Sequence, residues 1–164
     1  MFILYLVARG PQLGYNHGMD ELRLVQLTKE MVAEELRLLG DPCAAAANVV
    51  RKTLMAAFQG AAPGDTPPAR IIEDAVKGAM TALLLADHSM TRGSILIVEA
   101  VMDTASKRDL DPTESMSAAL KGLADLRRFV DPSRMDDIRL EIESHYMGAG
   151  EAFMEFLRAV PARR

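Results

Sequence analysis

The chain has no Trp, one Cys, three His and only 5% aromatic residues in a length of 164. Each scarcity closes off a kind of chemistry. A lone Cys43 cannot form an internal disulfide, nor supply the several thiolates of a structural zinc site. A single thiol suits a reducing compartment, so the expected location is the cytoplasm. Charge of one sign is missing as well: 23 acidic and 19 basic residues, interspersed, leave a formal charge of −4. Electrostatic binding to nucleic acid needs a concentrated basic face, so no nucleic-acid partner is expected. Long apolar runs are also absent. "MFILYLVARG" holds about eight consecutive apolar residues and "GAMTALLLA" is nine residues long. A bilayer-crossing helix needs ~20, so neither stretch is a membrane span.

The opening stretch has no basic residue before its apolar run and no small-residue cleavage site after it, unlike a signal peptide. The Gly- and Pro-rich "PQLGYNHG" follows, and helical periodicity begins at Met19. The expected organisation is a non-helical leader, Met1–Gly18, followed by a single all-helical domain over 19–164. The leader's bolder alternative is an apolar arm that docks on the body or on a neighbouring subunit.

What the chain does contain is helix-forming. Apolar residues make up 49% of it, including 11 Met, and Ala and Leu supply most of the remainder. Ala, Leu, Met, Glu and Arg carry the best helix propensities, while β-formers are scarce, so no strand is expected. A chain of this length can bury a sizeable single core. In its Ala, Leu and Met richness and its lack of Trp, the composition is similar to that of helical surface-coating proteins such as the phasins of storage granules. The likeness is one of composition.

The first helical segment, "MDELRLVQLTKEMVAEELRLLG", repeats apolar residues at Leu22, Val25, Val32, Leu36 and Leu39, with Asp20 as its N-cap and Gly40 as its stop. Leu24, Leu27, Met31 and Leu38 widen the stripe, which predicts burial on more than one side. Later starts are marked by Asp41-Pro42, Thr66-Pro67-Pro68, Asp111-Pro112 and Asp131-Pro132. In these, a side-chain oxygen can satisfy first-turn amides, and Pro at the first helical position loses no hydrogen bond. In "DPTE", Glu114 stands three residues after Asp111, as in a capping box. The expected helices are 42–59, 68–87, 94–107, 112–130 and 132–147, with "GAG" at 148–150 opening a last segment, "EAFMEFLRAV". "GAAPGDTPP" is the obvious connector. The fold class is therefore all-α, a compact bundle of six to seven short helices.

"AVKG" at 75–78 returns as "ALKG" at 119–122, and the 44-residue offset also pairs Asp87 with Asp131, Leu96 with Leu140 and Glu99 with Glu143. Such matches arise either from a duplicated helical hairpin, about 67–106 and 111–147, or by chance between Ala-rich helices. The helix at Pro42 offers a looser third copy. Gly78, Ala82 and Gly122 stand where small residues permit close helix packing, within the bundle or between subunits.

No motif carries catalysis. Glu141 and His145 are four apart, but ferritin-type di-iron sites need Glu-x-x-His pairs on facing helices, and no second copy exists. Cys43 opens a helix without a His or Asn placed to activate it. There is no Gly-x-Ser-x-Gly elbow and no Gly-rich phosphate loop. Acidic pairs such as Glu141/Glu143 read as solvated faces. No catalytic residue, cofactor or metal is expected. The composition points to a non-enzymatic interaction or oligomerisation module whose partner is itself, as a homodimer or larger, or another protein. Phe153, Phe156 and Leu157 of the tail are the candidate interface. The alternative is a small apolar ligand held between helices, acting as sensor or enzyme; eight aromatic residues provide few walls for such a pocket.

Overall fold

A computed structural model of the chain describes residues 17–38, 40–60 and 66–161. Residues 1–16 of the leader and 61–65 of the connector lie outside the described residues. Of the described residues 85% are helical, none in a strand. The elements are α1 (His17–Leu38), α2 (Pro42–Gly60), α3 (Pro68–Leu85), α4 (Met90–Lys107), α5 (Pro112–Ala124), a 3₁₀ turn (Asp125–Arg128), α6 (Pro132–His145) and α7 (Ala149–Ala159).

Prolines open α2, α3, α5 and α6 as expected, although at α6 the Asp131 side chain makes no cap hydrogen bond. Asp41 accepts the Ala44 amide at 3.2 Å and Asp111 the Glu114 amide at 2.8 Å. At α3 the cap position is Pro67 itself, so Thr66 does not cap. Three boundaries differ from expectation. Helix α1 starts at His17, so Asp20 falls inside the helix rather than at its N-cap. Helix α4 starts at Met90, four residues before the periodic stripe, because the Ser89 hydroxyl accepts the Arg92 amide at 3.4 Å. Helix α5 stops at Ala124, and the chain tightens into the 3₁₀ turn before Val130.

Helices α1, α3, α5 and α7 pack side by side in one layer; α2, α4 and α6 form the second. Neighbours within a layer run parallel. Glu73 and Val76 of α3 meet Gly122 of α5, and Lys77 reaches Asp125 at 3.1 Å. In the other layer Cys43 faces Ser89 and Arg51 pairs with Asp103. The molecule is thus a short two-layer stack in which α1–α2 and α3–α4 pack as hairpins, whereas α6 packs on α4 and α7 rather than on α5, so the expected 111–147 hairpin is not formed. This corrects the third copy: α2 lies in the layer of α4 and α6, not that of α3 and α5. A proline at the first helical position announces a helix start and carries no information about its layer.

One core runs through the stack, with Leu54, Ile72, Met80, Leu83, Ile97, Leu120, Leu123, Ile138, Ile142 and Phe153 all below 2% exposure. Burying such a side chain stabilises the fold by ~1.5–3 kcal/mol. Three buried hydroxyls return to their own helices, Thr28 donating to Leu24 O, Ser94 to Met90 O and Thr104 to Ala100 O, while Thr53 reaches Met31 Sδ of α1. The first three need no polar partner from elsewhere.

Candidate functional site

Gly78 and Gly122 both lie at helix crossings inside the chain. A Cβ at Gly78 would stand 2.6 Å from Val25 O and 2.9 Å from Thr28 Cβ of α1. One at Gly122 would stand 2.6 Å from Glu73 O of α3. The two glycines therefore do the same work in successive helices of one layer, letting α3 rest on α1 and α5 on α3. Ala82, 5% exposed, is buried one helical turn along α3. None of the three offers surface to a second molecule.

Of the tail residues, Phe153 is 0% exposed and belongs to the core. It cannot serve as an interface residue. Phe156 and Leu157 are half-buried against the same core, and the Lys121 ammonium sits 5.3 Å from the Phe156 ring centroid. Arg127 donates to Leu157 O, tying the end of α7 to the 3₁₀ turn. The outer face of α7 presents Glu151, Glu155 and Arg158, and that of α1 presents Arg23, Gln26, Glu30, Glu34 and Arg37. Both ends of the stack thus show polar faces among the described residues, as terminal helices of stacked repeats do. Leu24, Val25, Leu27 and Met31 of the α1 stripe are half-buried and Val32 is buried; the side chains of Leu22, Leu36, Leu38 and Leu39 lie outside the described ones.

The candidate ligands and nucleophile do not converge. His145 Nδ1 lies 3.0 Å from Glu141 O and 3.7 Å from its carboxylate, on an exposed face. Among the described residues no three His, Cys, Asp or Glu side chains are grouped to hold a metal. Cys43 is 3% exposed, and its thiol donates to Ser89 O at 3.4 Å. Burial pushes that thiol up, away from the thiolate that nucleophilic chemistry needs. Nearby, Arg92 grips Asp41 with both guanidinium nitrogens, at 2.7 and 2.5 Å. That bond, with the Ala44 amide, holds the Asp41 carboxyl down to about 2. Its role is to clamp the α1–α2 corner onto α4.

Two features went unread in the sequence. The first is a pair of exposed apolar side chains. Leu85, the last residue of α3, is 67% exposed, and Phe129, just after the 3₁₀ turn that follows α5, is 56% exposed; they stand 44 residues apart in the chain. The offset was visible in the sequence, but the exposure was not.

The second is an open cleft of about 330 Å³ between the first turns of α5 and the α6–α7 corner. Met116 and Leu120 lie at its base, Thr113 and Ser117 beside them, and Tyr146, Met147 and Ala152 across it. Glu143 builds the corner: its two carboxylate oxygens accept the Gly148 and Gly150 amides at 2.9 and 2.8 Å. These bonds hold its carboxyl below the usual carboxylate range, so Glu143 is a structural cap rather than part of a solvated face. Gly148 turns the chain at φ 86°, a left-handed conformation that a side chain would strain. Met147, beside it, is 96% exposed.

Compared with known proteins, the chain matches no family model, no curated protein sequence and no solved structure.

Proposed function

We propose that the protein is a non-enzymatic helical module that associates with a second copy of itself along the edge carrying Leu85 and Phe129. The observation that supports this is the exposure of two large apolar side chains at and just beyond the C-terminal ends of the neighbouring helices α3 and α5. Scattered exposed leucines are ordinary, but two large apolar side chains near the ends of adjacent helices can join into one patch. A two-fold contact sets Leu85 of one copy on Phe129 of the other, and Phe129 on Leu85. It also brings Asp87, beside Leu85, toward Arg128, beside Phe129, so the rims carry opposite charge. Two side chains per copy are a fraction of the ~800 Å² that each partner of a stable interface buries. The association is therefore weak and concentration-dependent.

Sedimentation equilibrium across a concentration series tests it. The expected result is a monomer–dimer equilibrium that Leu85→Ser with Phe129→Ser shifts to monomer, with the helical circular dichroism signal unchanged. A protein that stays monomeric at every concentration, or a dimer indifferent to the two substitutions, refutes the proposal.

A further inference from the structure

We infer that the cleft between α5 and the α6–α7 corner is a binding site for a small, neutral, largely apolar molecule carrying one hydroxyl or carbonyl group. Its volume, about 330 Å³, lies at the small end of ligand pockets. None of its ten lining residues is charged at neutral pH. A carboxylate or ammonium entering it would shed water without gaining a counter-charge, whereas an apolar group sheds water favourably. The base is apolar, with Leu120 1% exposed and Met116 half-buried. Three of the lining residues, Thr113, Ser117 and Tyr146, carry hydroxyls available for polar recognition. Burial, with the Glu99 charge adding to it, pushes the Tyr146 phenol up, so it stays a protonated donor at physiological pH.

The space itself follows from small residues. At the preceding corner, between α4 and α5, Asp109 takes the left-handed turn and Leu110 packs on the core. At the α6–α7 corner the turn falls to Gly148, and Ala149, Gly150 and Ala152 follow it, so Met116 stays half-exposed while Leu120 beside it is closed off. Met147 at the rim is a flexible thioether able to fold over a guest.

A matched pair of probes tests the site on the full chain: cyclohexanol, and cyclohexanecarboxylate, of similar shape but charged. Backbone amide NMR shifts on titration with cyclohexanol should saturate and concentrate at 112–120 and 146–152. The carboxylate should bind about tenfold or more weakly than the alcohol. Ala152→Phe, at an exposed position on α7, should fill the cleft and abolish the saturable shifts, while Met147→Ser should weaken binding and leave the fold intact. The inference fails if cyclohexanol shifts do not saturate, if they scatter over α1–α3, if the carboxylate binds as well as the alcohol, or if a folded Ala152→Phe binds unchanged.

Discussion

Replacing Gly122 with Ala probes the contact of α5 with α3 at its tightest point. In an open helix interior this exchange stabilises a protein by about 1 kcal/mol, since Ala is the better helix former. At Gly122 the added Cβ would meet Glu73 O at 2.6 Å, and Val76 Cβ and Cγ1 at 3.0 and 3.1 Å. A helix carbonyl cannot rotate out of the way, so α5 has to lift from α3. Overpacking of this kind costs ~1–3 kcal/mol, enough to reverse the propensity gain. The expected net change is a loss of up to about 2 kcal/mol, or up to ~8 °C in melting temperature for a domain of this size. Gly78→Ala should follow the same sign, because Val25 O stands 2.6 Å and Thr28 Cβ 2.9 Å from the added atom. Gly40→Ala is the control: its Cβ would meet nothing within 4 Å. Urea unfolding of the three variants, followed by far-UV circular dichroism, gives the comparison. If Gly122→Ala or Gly78→Ala gains the ~1 kcal/mol of an open helix, the close approach does not exist.

Two further outcomes follow from the same geometry. Phe153→Ala should cost ~3–5 kcal/mol in urea unfolding and leave the association constant of the folded chain unchanged, because its ring is core rather than surface. In acid, the Asp41 carboxyl ionises well below its ordinary value of 3.8, at about 2. The stabilisation it contributes is therefore complete above that ordinary value and is lost as pH falls through about 2. Arg92→Gln removes the largest cause of the shift, so an NMR titration should find Asp41 moved back toward 3.8 and the acid dependence reduced.

The sequence by itself determined the local facts: an all-helical chain, helices opening at Pro42, Pro68, Pro112 and Pro132, and glycines at 78 and 122 that break an otherwise strong helix former's pattern. These depend on propensity, capping and proline chemistry, which act over a few residues and are legible in order along the chain. The tertiary structure decided which helices share a layer, and with that the fate of individual side chains. An amphipathic stripe says that Phe153, Phe156 and Leu157 have an inward side, but the packing of α5, α6 and α7 alone makes Phe153 core and leaves the other two half-buried. Glu143 looked like one of many surface acids until the α6–α7 corner folded two amides onto it. Leu85 and Phe129 are apolar in sequence and exposed in the fold, and the cleft beside Tyr146 is space bounded by segments about 30 residues apart. Burial and void are properties of what lies opposite a residue, and nothing within a helical turn of it can say what that will be.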